Sequence, residues 1–190
     1  MATLLAGIPR ETLKSVGGIM EVYVTELGNI SGTTTVTNGV AAFHTNGAAM
    51  FKKYVLSKDG GSKFGSVQTG NIANGTNSYE NTVTLVFKRN QVSKRNELKV
   101  MAANELVAVV NDNDVANIST TGGTVGNLYV IGLQFNNNVG GCDVTSGTMD
   151  TGALFGDANS LTILMRALES TPPLGISVAD YAKIKAGTTL

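Results

Sequence analysis

The stretch that decides the fold runs from Tyr79 to Asp114, YENTVTLVFKRNQVSKRNELKVMAANELVAVVNDND. Its period changes twice. Val83, Leu85 and Phe87 fall on one side of an alternating pattern, with Thr82, Thr84 and Val86 on the other, as in a strand with one buried face. Leu98, Met101 and Ala102 then recur at the i, i+3, i+4 spacing of a helix face. Leu106 to Val110 is a short run rich in β-branched residues and closed by Asn and Asp, which reads as a buried strand. A strand–helix–strand core is expected at the centre of a chain otherwise rich in Gly, Thr and Asn.

Upstream of that core, Ile19 to Leu27 alternates between Gly17-Gly18 and Gly28-Asn29, and predicts a strand. The Thr-rich segment from Gly32 to Gly39 predicts an extended hairpin arm. Met50 to Ser57 predicts a strand, Lys58-Asp59-Gly60-Gly61 a turn, and Lys63 to Thr69 a strand pairing back across that turn. Gly70 to Asn77 reads as a loop. Downstream, residues 115–127 read as a loop, and Leu128 to Phe135 as a strand with Tyr129, Ile131, Leu133 and Phe135 on one side. Asn136 to Gly156 carries no regular period and reads as a long loop or irregular hairpin. Ser160 to Leu168 predicts the last strong strand, after which Pro172-Pro173, lacking N–H donors, is expected to end pairing. Ser177 with Asp180 three residues on is a capping-box arrangement, opening a short helix that ends near Gly187. The expected chain is mainly β (α+β): about seven strands, one central helix, several long Gly-rich loops, a hairpin arm and a short C-terminal helix. A single domain over 1–190 is expected, with an N-terminal arm over about 1–16 and a C-terminal tail over about 170–190.

Composition narrows the class. Hydrophobic residues make up 42% and charged residues only 15%, with Lys plus Arg and Asp plus Glu balanced at 14 each. A freely soluble monomer usually carries more charge, displaced from zero. A weakly charged surface is the kind that subunits cover at low desolvation cost, so the chain is expected to act by shape and self-association. The largest basic cluster, Lys88, Arg89, Lys94, Arg95 and Lys99, surrounds one helix and is interrupted by Asn90, Gln91, Asn96 and Glu97. It reads as a solvated helix face. No aromatic residues interleave with it as base stacking would need. The opening, MATLLAGIPRETLK, has neither the basic start nor the apolar length of a signal peptide, and no run approaches a membrane span. Synthesis in a cytoplasm without membrane attachment is expected.

No constellation of reactive residues stands out. His44 is the lone histidine and Cys142 the lone cysteine. One of each leaves a nucleophile–base pair dependent on the fold alone, cannot fill a tetrahedral zinc site and permits no internal disulfide. Asp112-Asn113-Asp114 resembles the start of a calcium loop but lacks its glycine and bidentate glutamate, so it reads as a strand-ending turn. Gly122-Gly123-Thr124-Val125-Gly126-Asn127 lacks the Lys-Ser/Thr of a phosphate cradle and precedes a strand. No catalytic residue, cofactor or metal site is assigned, and an enzyme is not expected. A glycan- or receptor-binding β-module remains a rival, but the chain has no Trp for an exposed aromatic platform.

The order TLVFKR, SKRNELKVMAANELVAVVNDND, LYVIGL and TGALFGDANSLTILMRALE resembles a family of tailed-bacteriophage virion proteins, over roughly Lys53 to Pro173. These are tail-tube-like and tail-ring subunits, including the ring proteins of crAss-like phage tail barrels. The resemblance implies an antiparallel β-sandwich or half-barrel with one central flanking helix, and subunits that join their sheets around a homo-oligomeric ring, hexameric or dodecameric. Rings stack against adjacent tail or connector proteins into a conduit for double-stranded DNA, with no catalytic residues. Virion localisation follows, after synthesis in the host bacterial cytoplasm. A head–tail connector or capsid-decorating protein is the neighbouring alternative. Independently of the resemblance, sheet edges are adhesive and ring closure removes them. Extended apolar arms can add strands to neighbours. Leu4, Leu5, Ile8 and Pro9 of the N-terminal arm, with Ile30, Val36 and Val40 of the hairpin arm, are the expected subunit contacts.

Overall fold

Two apolar cores, one on each side of a single sheet, organise the chain. The structure, a computed structural model, describes residues 17–37, 39–46, 51–56, 60–71, 73, 75–89, 91–113, 118–119, 123–124, 127–133, 140–154, 157, 159–187 and 190. In chain order its strands begin with β1 (Ile19–Glu26), β2 (Ile30–Thr37), β3 (Val40–Thr45), β4 (Lys52–Val55), β5 (Lys63–Asn71) and β6 (Thr76–Lys88). Helix α1 (Val92–Ala103) leads to β7 (Leu106–Asp112), the short pair β8 (Ile118–Ser119) and β9 (Gly123–Thr124), and β10 (Leu128–Ile131). The chain ends with β11 (Asp143–Asp150), β12 (Ser160–Glu169), β13 (Gly175–Ile176) and α2 (Val178–Ala186). The fold is mainly β, with antiparallel sheets and two helices.

The central sheet has the order β10-β7-β1-β4 and a second sheet the order β11-β12-β6-β5, both antiparallel throughout. Their facing sides meet in the first core. Val22, Val24, Ala108 and Val110 come from one side, and Val83, Leu85, Leu161, Ile163 and Met165 from the other. The reverse side of the central sheet is covered as well. Tyr23, Val107, Val109 and Val130 pack on Ala41, Phe43 and Ile176 of a three-stranded sheet (β13-β3-β2), and on Tyr181 and Ile184 of α2. The result is a sandwich with a third layer on its back. β7 therefore alternates without a polar face: Leu106, Ala108 and Val110 enter one core, Val107 and Val109 the other. Fully burying one such side chain stabilises by about 1.5–3 kcal/mol. This explains an apolar run in an antiparallel strand, a pattern more usual in parallel sheets.

Most elements fall where the sequence places them, including β6, α1 and β7. The connection differs in kind: β6 and β7 belong to different sheets, so α1 crosses from one sheet of the sandwich to the other. Leu98 and Met101 of α1 turn into the first core. α2 begins at Ser177, whose Oγ accepts from the Asp180 N–H at 3.0 Å, and ends at a left-handed Gly187, as the capping box predicts.

Five expectations are corrected. The strand after the Lys58–Gly61 turn does not return to β4: β4 pairs with β1, whereas β5 pairs with β6. The expected loop from Gly70 to Asn77 is shorter than the sequence suggests, since β5 runs to Asn71 and β6 starts at Thr76. Within the region read as a long loop or irregular hairpin, residues 143–150 form β11, which pairs antiparallel with β12 on the edge of the second sheet. The Pro172-Pro173 pair does not end pairing: Val130 N–H donates to Leu174 O at 2.7 Å, and β13 then pairs parallel with β3. Lastly, β10 stops at Ile131 because Gly132 takes a left-handed φ of 81°. The chain changes direction there, so Leu133 enters the second core while Tyr129 and Ile131 face the first. A Cβ at Gly132 would stand 2.5 Å from the Leu106 carbonyl oxygen and 2.9 Å from Cys142 Sγ.

Gly132→Ala combines a strained φ with a clash against backbone, and is expected to cost about 2 kcal/mol or more in urea unfolding. Gly28→Ala, where a Cβ meets nothing within 4 Å, should stay within about 0.5 kcal/mol of the parent.

Candidate assembly interface

A strand at a sheet border leaves half of its N–H and C=O groups to seek partners, and folded proteins usually shorten, charge or cover such borders. The central sheet follows that rule. Its β4 border is four residues long and carries Lys52 and Lys53, and its β10 border meets Leu174 through the Val130 bridge. The second sheet does not. Its borders are β5, nine residues, and β11, eight residues. Neither contains Pro, β5 has Lys63 as its lone charge, and the charges of β11 are Asp143 and Asp150 at its ends. The other residues of the two strands are Gly, Ser, Thr, Gln, Asn, Val, Met and Phe, which carry no charge to desolvate. A register shift between Val144 and Ser146 interrupts β11 near its start, and from Ser146 to Asp150 its pairing is regular. α1 packs on the face of β11, not along its border: a Cβ at Gly147 would lie 2.7 Å from the Leu98 side chain.

The outward face of this sheet is balanced in charge, three cations against three carboxylates. Strand alternation puts Thr82, Thr84, Thr148, Thr162 and Leu164 on it, opposite the buried Val83, Leu85 and Ile163. The same alternation places Lys63, Lys88 and Arg166 there with Glu80, Asp143 and Asp150. Arg166 Nε lies 2.9 Å from Glu80 Oε1. Val67 and Leu168, exposed to 63% and 60%, share one row across the sheet with Glu80 between them.

The contacts expected from sequence are distributed differently. Leu4, Leu5, Ile8 and Pro9 lie outside the described residues. Ile30 is half-buried against the second core. Val36 and Val40 are exposed on the β2–β3 hairpin, in adjoining positions of its register. The borders of β5 and β11 were not among those expectations. The one sequence signal for them is the low charge of the Thr/Ser/Gly-rich segments, which resembles that of a loop.

Residues considered for chemistry are not brought together. His44 is exposed on β3, its Nδ1 3.4 Å from the Leu190 carbonyl oxygen, whereas Cys142 is fully buried in the first core. Burial, then the neighbouring Glu169 and Asp143, push the Cys142 thiol well above its ordinary value, which suits packing and not nucleophilic attack. Asp112 accepts from the Asn127 N–H at 2.7 Å and from Asn127 Nδ2 at 3.1 Å, and so fastens the loop between β7 and β10. No group of three or more His, Cys, Asp or Glu side chains is placed to hold a metal among the described residues. No helix among them is long and apolar enough to cross a membrane.

Two buried polar clusters hold the layers in register. Between the central sheet and α2, the Tyr181 hydroxyl donates to Glu21 and accepts from Asn111 Nδ2 at 3.1 Å. Lys53 Nζ sits 2.6 Å from the other Glu21 oxygen. Burial alone would raise the Glu21 carboxyl; the bonds from Lys53 and Tyr181 outweigh it and hold the group below its ordinary value. At the junction of the two large sheets, Glu169 accepts from the Gly132 N–H at 2.8 Å and from Asn81 Nδ2. Burial raises its carboxyl to about 7 against those two bonds. No family model matches the chain, and no curated protein or solved structure matches it.

Each cluster carries a test. Tyr181→Phe removes a donor to a buried carboxylate and should cost about 1–3 kcal/mol in urea unfolding. Glu169 binds its proton more tightly folded, at about 7, than its ordinary 4.5. Its stabilising contribution is therefore complete below pH 4.5 and is lost as pH rises to about 7. Glu169→Gln should flatten the stability difference between pH 4.5 and pH 8 by on the order of 2 kcal/mol, with most of the gain at the alkaline end.

Proposed function

We propose that the chain is a self-assembling ring subunit of a tailed-bacteriophage virion, a tail-tube or tail-barrel component that forms part of the DNA conduit. One observation carries the reading: the two open, nearly uncharged borders, β5 and β11, bound the same sheet on opposite sides. Docking the β11 of one copy on the β5 of the next is a head-to-tail contact, and such a contact generates a ring when its rotation closes. Backbone hydrogen bonds supply the affinity, and closure leaves neither border of this sheet unpaired.

The outward face of that sheet supports the second half of the proposal. A conduit must let DNA slide, and tight binding follows from releasing counterions with unopposed cations. Here Lys63, Lys88 and Arg166 share the face with Glu80, Asp143 and Asp150, so a lumen built from it would hold the duplex weakly. The sequence resemblance to tail-tube-like and tail-ring proteins points the same way. The proposal places the protein in the virion tail, against neighbouring tail or connector proteins, with no catalytic step and no cofactor.

Size-exclusion chromatography with light scattering, followed by negative-stain imaging of the purified full chain, should show rings. Val67→Lys/Thr148→Lys, which charges both borders at exposed positions, should yield folded monomers with unchanged circular dichroism. A parent chain that remains monomeric at high concentration, or rings unaffected by the double substitution, would overturn the proposal.

A further inference from the structure

Glu169 and the buried Cys142 meet where the two large sheets join. Glu169 closes β12 and Gly132 follows β10, and the carboxylate takes the Gly132 N–H at 2.8 Å on one oxygen and Asn81 Nδ2 on the other. Gly132 packs directly on Cys142: a Cβ there would stand 2.9 Å from its Sγ and 3.0 Å from its backbone nitrogen. Cys142 in turn holds Leu106 by a reciprocal pair. Its N–H donates to Leu106 O at 2.6 Å, and its carbonyl accepts the Leu106 N–H at 3.1 Å. β11 starts at the next residue. One carboxylate therefore secures a turn, a thiol and the first residue of a border strand.

Three features mark this junction as the first to yield. Asn81 is fully buried, and its Oδ1 has no partner among the described residues. Water entering there satisfies an atom that folding leaves short of a bond. Gly140 and Gly141 precede Cys142, the second at a φ of 124°, and give the segment a hinge. No cation among the described residues offsets the Glu169 charge. The titratable side chains around it are Tyr79 across the strand pair, Cys142 and Asp143, and Glu105 against Gly141. Arg166 and Glu80 pair with each other on the outward face.

We infer that the Glu169 junction is a pH-sensitive latch: ionisation of its carboxyl releases Gly132 and Cys142, and with them the start of β11, while both cores stay folded. The carboxyl sits at about 7 in the folded chain against an ordinary 4.5, so below pH 4.5 the latch is fully closed. Opening returns the group to water. The open population therefore grows about tenfold per pH unit from 4.5 to about 7 and then levels off. Local opening of this kind draws on the least-anchored parts of a fold. The inference needs no ring, since every bond in it lies within one chain.

Cys142 is the chain's single cysteine, so its labelling by a pyridyl disulfide in the full-length protein reads the latch. Dividing the rate at each pH by that of the urea-unfolded chain removes the titration of the thiol itself. The ratio should rise about tenfold or more from pH 5 to pH 7, and stay within about threefold in Glu169→Gln. No rise in the parent, or an equal rise in the variant, would overturn the inference. Amide exchange in the parent gives a second reading that needs no substitution. After correction for intrinsic rates, the Leu106 and Cys142 amides should lose about tenfold or more in protection over the same range, while Val109, central in β7, keeps its own. Equal loss at all three would mean global unfolding, and would also overturn it.

Discussion

Every layer of this protein rests on β7 being apolar on both faces. Val107 and Val109 point into one core while Ala108 and Val110 point into the other, so a single strand ties three layers into one cooperative unit. Alternate side chains of a strand must leave opposite faces. Neither the second sheet nor the three-stranded sheet with α2 can therefore detach without exposing part of β7. That constraint puts the polar groups where they are. Glu21, Asn111 and Tyr181 satisfy one another at the α2 side, and Glu169 secures the Gly132 turn at the other.

The same constraint explains why the surface divides unevenly. The central sheet is enclosed, and its borders are shortened, lysine-bearing or bridged. The second sheet has its inner face in the core and a half-exposed outer face that no other sheet covers among the described residues, with long borders on both sides. A chain with this few charges lacks the usual means of keeping such borders apart. In the proposed ring those borders become joints, and the low charge becomes an economy in desolvation.

Much of this was legible in the sequence where side chains report their own environment. The alternation of Val83, Leu85 and Phe87, the helical spacing of Leu98 and Met101, and the Ser177–Asp180 cap each encode a local element directly. β11 escaped because its inward side is served by Gly147 beneath Leu98, so it needs a small residue where an apolar one would have signalled a strand. The partner of β5 escaped for a different reason. Tyr54 on β4 and Phe64 on β5 both pack toward the first core, and a turn between two such strands does not say which sheet each joins. Partner choice is a tertiary property. The Glu169–Gly132 junction has no local pattern at all, because Asn81 and Glu169 lie on β6 and β12 whereas Gly132 lies in the turn after β10 of the other sheet.

The central claim is that β5 and β11 are joints between copies. Amide hydrogen exchange, followed by mass spectrometry over a range of protein concentrations, tests it most directly, because a border amide is protected once a neighbouring strand accepts its bond. Exchange within Lys63–Asn71 and Asp143–Asp150 should slow together as concentration rises, while Lys52–Val55 stays unchanged. Fast exchange in both segments at every concentration would contradict the account.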